Sequence, residues 1–235
     1  MDISFIVPTY NEEKCIEDCL KAIKNQKTSH TYEIIVVDGH STDKTVEIAK
    51  GYADKIVFSK VKSVAVQRNM GAKSSRSKYF AFIDADTEVC MDYTEIVLSH
   101  LENGYLGVSL GFEFEKKKLK LLFAEKVANS YYHARSLLGK ATLPGFNISI
   151  SKNVFTELGG FRNIVLEDVD ISRTLNKVGS TKYITSKKVV TSARKLEKMG
   201  VLGTLRYYIE LDLNKSSCIE PIKNLFKHKK YIHIR

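Results

Sequence analysis

Three times within the first ninety residues, a short apolar run stops abruptly at polar or acidic side chains. The stretches are "ISFIVPTYNEE", "YEIIVVDGHSTDKT" and "YFAFIDADT". Each reads as a buried strand that ends in a polar turn. A strand interior does not tolerate unpaired carboxylates, so the charged residues mark the strand ends. Helical patterns lie between the runs. Cys15, Cys19, Ala22 and Ile23 share helical spacing, with Asn11 expected as a cap and acids in the first turn. A second helix follows Asp43, and a third is expected from about Ser63 to Ser75, after a short strand near "KIVF". Apolar strands alternating with helices indicate βαβ units and an α/β fold with a mostly parallel sheet.

The second half has a different rhythm. "LGVSLGFEFE" reads as a strand, and "KKLKLLFAEKVANSYYHARSLLG" as a long helix. A strand at "GFNISIS" and a short helix before Gly159-Gly160 follow. "LEDVDISRTLNKVG" is a helix closed by Gly179. A strand near "KKVVTS" and a helix over "GVLGTLRYYIELDL" complete the pattern. Without an internal repeat or a long linker, residues 1–235 read as one domain. Residues 1–104 would be its nucleotide-binding half, 105–180 its acceptor and catalytic half, and 181–235 a basic C-terminal extension.

Composition narrows the class. Hydrophobic residues make up 43% of the chain, with 11 Phe and 12 Tyr, enough for a sizeable core. No segment approaches the roughly 20 apolar residues of a spanning helix. The N-terminus reads as a first core strand and not as a signal peptide. The four cysteines form no C-x-x-C pair, which fits a reducing cytosol. A net charge of +10 favours anionic partners: nucleic acid, anionic lipid or phosphorylated ligands. Solvated surface lysine is the plainer reading of most of that charge.

In open parallel sheets, ligands sit at the carboxyl ends of the strands. Three sets of polar groups would share that rim: Pro8 to Glu12, Asp38-Gly39, and Asp84-Ala85-Asp86. Asp84 and Asp86 are two apart, so in extended chain they point the same way. Such a pair repels itself unless a cation neutralises it. Mg²⁺ or Mn²⁺ suits these hard oxygen donors and commonly shares them with substrate phosphates. Capping of the next helix is the bland alternative. A phosphatase of the haloacid dehalogenase type also carries a D-x-D, but there it closes the first strand, and Glu88 departs from its signature. Asp38 could accept from a base or ribose, or simply hold a turn. Arg68 could contact a nucleotide, or be an ordinary helix arginine. Glu167, Asp168 and Asp170 follow Gly159-Gly160 and complement a helix dipole, yet Asp168 also suits a general base, with Arg173 either bracing it or facing solvent. No dinucleotide fingerprint, Walker loop, H-E-x-x-H or G-x-S-x-G occurs.

Taken in order, "PTYNEE", "VVDGHSTDKT", "RNMGA", "DADT", "GGF" and "EDVDISRTL" resemble the family 2 glycosyltransferases of the GT-A fold, over residues 3 to 178. The resemblance implies transfer of a sugar from a UDP- or GDP-linked donor, with inversion, to a hydroxyl of a glycan or lipid-linked acceptor. It implies Pro8, Tyr10 and Glu12 in the nucleotide pocket, Asp38 at the base, and Arg68 and Asp84 holding the nucleotide. It further implies Asp86 as ligand of Mg²⁺ or Mn²⁺, and Asp168 as the base. The Q-x-x-R-W motif of processive members is absent, and the chain has no Trp. A polyprenyl-phosphate sugar synthase is an alternative that the "ED" pair opposes, because a phosphate acceptor needs little proton removal. Beyond Gly179 the match is thin; there Arg194 or Lys195 could neutralise a diphosphate, or lie on the surface.

Two other readings stand beside this one. A sugar-nucleotide pyrophosphorylase would need a Gly-rich basic loop where "PTYNEE" stands. A nucleic-acid-binding protein would interleave basic and aromatic residues on one surface, whereas here acids gather at strand ends, so no specific nucleic acid is expected. Finally, residues 116 to 138 are basic, apolar and aromatic together. This segment is an acceptor-site helix, a packed helix, or one that rests on anionic lipid with the tail "KNLFKHKKYIHIR". The expected location is the cytoplasm, with the inner face of the membrane as the peripheral alternative.

Overall fold

The computed structural model describes residues 1–194, 196, 197 and 200. The expected helix over "GVLGTLRYYIELDL", the tail "KNLFKHKKYIHIR", Lys195 and Cys218 lie outside the described residues.

The first half is built as the alternation predicts. Strands β1 (Ile3–Thr9), β2 (Tyr32–Asp38), β3 (Lys55–Phe58) and β4 (Tyr79–Ile83) alternate with helices α1 (Ile16–Lys24), α2 (Thr45–Ala49) and α3 (Val64–Ser74). All seven β1 residues are buried, because helices cover both faces of a parallel sheet. β1 pairs in parallel with β2 on one side and β4 on the other. The chain moves outward through β2 to β3, then crosses back to β4. The switch point therefore falls between β1 and β4, where such folds open a crevice for ligands. The β1–β4 ladder stops at Ile6–Phe82, and Pro8 has no N–H with which to extend it. Asp84 and Asp86 follow directly from the parting strand.

The second half completes the sheet with strands of mixed direction. β5 (Thr87–Glu88), α4 (Tyr93–Glu102), β6 (Gly107–Phe114), α5 (Leu119–Leu137), β7 (Asn147–Ser151), α6 (Lys152–Glu157), α7 (Glu167–Val178) and β8 (Thr181–Thr191) follow in order. The sheet order is β3-β2-β1-β4-β7-β6-β8-β5. β7 runs antiparallel to both β4 and β6, whereas β8 is parallel to β6. Residues 181–191, assigned by the sequence reading to a basic extension, are thus an integral strand. The reason is packing: Thr181, Tyr183 and Val189 are buried against the sheet.

Asn11 does not cap α1. It adopts φ 54°, and its side-chain oxygen accepts from Thr42 N at 2.8 Å, tying the β1 turn to the β2 turn. Cys15 likewise precedes α1, while Cys19 is buried in the core.

Candidate active site

The acidic strand ends meet two arginines of contrasting character. Arg68, on α3, is 1% exposed. Its Nη2 donates to Asp84 Oδ1 at 2.8 Å and to the carbonyl of Gly145 at 2.7 Å, while Nη1 donates to Glu167 Oε1 at 2.8 Å. The planar guanidinium suits this task, since its donors are held in a fixed fork. Its Cζ also lies 5.2 Å from the centroid of Phe161. Burial raises the Glu167 carboxyl above its ordinary range, and the Arg68 charge opposes that rise.

Asp168 joins the same cluster through Gly145. The Gly145 N–H donates to Asp168 Oδ2 at 3.0 Å, and Val169 N donates to Oδ1 at 2.8 Å. A Cβ at position 145 would stand 3.1 Å from Asp168 Oδ2 and 3.2 Å from Arg68 Nη2, so a side chain there would press on both groups. Asp84, Arg68, Gly145 and Asp168 form one continuous chain of hydrogen bonds, drawn from three distant parts of the sequence. Leu166, just before α7, has φ 68°, a strained conformation for a branched side chain and a mark of constrained sites.

The "GGF" turn props this cluster from behind. Gly159 and Gly160 take φ of 77° and 73°. Asn69, next to Arg68, donates to the carbonyl of Phe161 at 2.8 Å and accepts from its N–H at 2.9 Å. Phe161 packs edge-on against Phe82 with ring centroids 4.9 Å apart, which joins the loop before α7 to β4.

Arg194 is the second arginine. It follows β8, and its side chain is 37% exposed. Its Nη2 donates to Glu12 Oε2 at 2.9 Å and to Asp86 Oδ2 at 2.8 Å. Burial, then the nearby Asp84, raise the Asp86 carboxyl above its ordinary range, against the pull of Arg194.

The residues expected on the nucleotide side line the same rim. Pro8 is the penultimate residue of β1, beside Val37. Tyr10 is half-buried, with Lys62 Nζ 4.0 Å from its ring centroid and 2.6 Å from its hydroxyl. Glu12 is nearly buried, and its N–H donates to Thr45 Oγ1 at 2.8 Å. Asp38 is fully buried; Oδ2 accepts from Ser41 N at 2.8 Å and Oδ1 from Ser41 Oγ at 2.5 Å. The plain turn, one of two readings of Asp38, describes this arrangement. Arg68 is buried and joins Asp84, Gly145 and Glu167. The N–H groups of Gly145 and Val169 are among the partners of Asp168.

Sequence reasoning noted Glu167 without a partner, and passed over Gly145 and Lys62. No local pattern singles them out, because their roles come from tertiary contacts.

The sequence profile of the family described as glycosyl transferase family 2 matches residues 4–159. The chain belongs to glycosyltransferase family 2. Among family relatives, it is 27% identical over 181 residues to the poly(ribitol-phosphate) beta-N-acetylglucosaminyltransferase TarS of Staphylococcus aureus strain Mu50, covering 73% of this chain and 29% of that one. A structure of S. aureus TarS 1-349 with UDP-GlcNAc superposes with a TM-score of 0.65 at 18% identity, covering 82% of this chain and 58% of that one. The mannosyltransferase PcManGT from Pyrobaculum calidifontis, in complex with GDP-Man and Mn²⁺, gives a TM-score of 0.71 at 21% identity, over 82% and 57% of the two chains. These likenesses establish the GT-A fold expected for a family 2 glycosyltransferase. The chain spans less than a third of the length of the TarS sequence it matches.

A divalent ion is testable against the donor set. Among the described residues, no group of three or more His, Cys, Asp or Glu side chains is disposed to hold a metal. Asp86 nonetheless fits one that shares its ligands with phosphate: a crowded, largely buried carboxylate at the crevice mouth that already attracts a cation, Arg194.

Proposed function

We propose that the protein transfers a sugar, with inversion, from a UDP- or GDP-linked donor to a hydroxyl of a glycan or lipid-linked acceptor. The observation that carries this reading is the hydrogen-bonded chain Asp84–Arg68–Gly145–Asp168, which fixes the D-x-D and the "ED" carboxylates relative to one another at the switch point of the sheet.

In this reading, Pro8, Tyr10 and Glu12 line the nucleotide pocket, and the Tyr10 ring offers a face to the base. Asp38 shapes that pocket through the turn it holds with Ser41, and its remaining lone pairs can accept from the base once the turn adjusts. Arg68 positions Asp84 and the "ED" pair, and acts on the nucleotide through Asp84. Asp86 would hold Mg²⁺ or Mn²⁺ together with the donor diphosphate; a bound ion of this kind offsets charge on the leaving group. Asp168 takes the proton of the acceptor hydroxyl. Two N–H donors hold its oxygens in place, so one carboxylate lone pair is aimed without reorganisation. A single in-line displacement inverts the anomeric carbon.

Support for a nucleotide-sugar donor comes from structural neighbours solved with UDP-GlcNAc and GDP-Man, and support for a metal from the neighbour solved with Mn²⁺. A peripheral contact with anionic membrane belongs to the same proposal. On α5, Leu119, Leu122, Phe123 and Val127 are exposed on one face, and Lys116, Lys117 and Lys118 precede it. Apolar side chains flanked by lysines suit an anionic bilayer surface. No described helix is long and apolar enough to cross a membrane.

The deciding experiment is a panel of UDP- and GDP-sugars, scored for binding and donor hydrolysis with and without Mn²⁺. The reading expects one donor class to bind in a Mn²⁺-dependent manner. Failure of every donor in both conditions overturns it.

A further inference from the structure

We propose that Arg194 is a resident counter-ion of the metal seat, which competes with a divalent cation for Asp86. The inference rests on the reading of Asp86 as the metal-holding carboxylate. A single nitrogen, Nη2, bridges Glu12 Oε2 at 2.9 Å and Asp86 Oδ2 at 2.8 Å, joining residues 182 and 108 positions away in the chain. A guanidinium and a divalent ion drawn to one carboxylate repel each other, so each disfavours the other at Asp86.

The two arginines of the site divide this labour. Arg68 is sealed in the core with three bonds, to Asp84, Gly145 and Glu167. Arg194 is partly open to solvent and stands on the segment that follows β8. That segment is anchored to the α5 region by Ala193 and Leu196 against Leu121, and by Glu197 with Lys116 and Lys118, each at 2.8 Å. Exposed ion pairs of that kind contribute little, so the apolar contacts of Ala193 and Leu196 are the main anchor among the described residues.

A consequence follows for binding order. Without nucleotide, an ion entering the seat competes with Arg194 and leaves a displaced guanidinium without these carboxylates. With a diphosphate present, the released guanidinium gains phosphate oxygens as replacement acceptors. Metal and nucleotide therefore bind with positive coupling, and linkage requires that coupling to be reciprocal.

The test measures Mn²⁺ affinity by the paramagnetic resonance signal of free Mn²⁺, with and without UDP or GDP. In the wild type, Mn²⁺ binds at least about tenfold more tightly with the nucleotide than without it. Arg194→Gln and Arg194→Ala, verified as folded by their urea midpoints, bind Mn²⁺ more tightly than wild type in the absence of nucleotide, and the coupling shrinks. Unchanged or weaker nucleotide-free binding in the folded variants overturns the inference. Equal wild-type affinity with and without nucleotide overturns it without any variant. Wild type that binds Mn²⁺ in neither condition removes the metal reading itself, and this inference with it.

Discussion

The guanidinium of Arg68 and the carboxylate of Glu167 meet at 2.8 Å although 99 residues separate them in the chain. The same guanidinium reaches Asp84 at 2.8 Å. One buried side chain thereby ties the end of β4 to the start of α7.

Arg68→Ala should be strongly destabilising. Removing one partner of a buried ionic cluster typically costs about 3–5 kcal/mol, because the remaining charges stay desolvated. The value expected here is near the lower end, since the Asp84 side chain is 35% exposed and can be rehydrated. Arg68→Lys should fall between, as an ammonium cannot reproduce the fork. Urea unfolding midpoints check both.

Gly145→Ala tests whether the peptide between Arg68 and Asp168 needs its room. The added methyl would meet Asp168 Oδ2 at 3.1 Å and Arg68 Nη2 at 3.2 Å. Overpacking of this sort costs about 1–3 kcal/mol. Transfer activity should drop further than stability, because the displaced group is the proposed base. Comparing kcat with the unfolding midpoint separates the two effects.

Asp86→Asn should abolish Mn²⁺-dependent nucleotide binding without lowering the thermal midpoint at neutral pH. Burial and the Asp84 charge raise the Asp86 carboxyl above its ordinary value of 3.8, so the native state holds this proton more tightly than the unfolded chain. The stability contributed by the group is therefore full below about pH 4 and is lost as pH rises through the raised native value. Asparagine removes that pH-dependent loss. Midpoints of both proteins across pH 3 to 8 test the sign.

Much of this arrangement is legible in the sequence, for a physical reason. A buried strand must end before its first charge, so the apolar runs announce both the β1-β2-β4 core and the rim where Asp38, Asp84 and Asp86 lie. The resemblance to the family then orders those motifs. The partners were not legible. Arg68 reads equally well as a solvated helix residue, because its burial depends on Phe161 and on the packing of α7. Arg194 meets Glu12 only after the whole sheet has been laid down. A strand near "KKVVTS" was legible, but its start at Thr181 and its place beside β6 were not, because they depend on pairing across the sheet.

Phe123→Asp combined with Leu119→Asp tests the α5 face. Both side chains are largely exposed, so the double variant should keep its unfolding midpoint within about 0.5 kcal/mol. Co-sedimentation with vesicles containing phosphatidylglycerol should fall several-fold. Wild-type protein that ignores such vesicles would remove the membrane contact.

The most direct test of the account is Asp168→Asn, with donor binding and sugar transfer measured on the same protein. Donor affinity in the presence of Mn²⁺ should change less than about threefold, while kcat falls by about 10²–10⁴, the usual contribution of a positioned general base. Transfer at the wild-type rate would contradict the assignment of Asp168 and the site built around it.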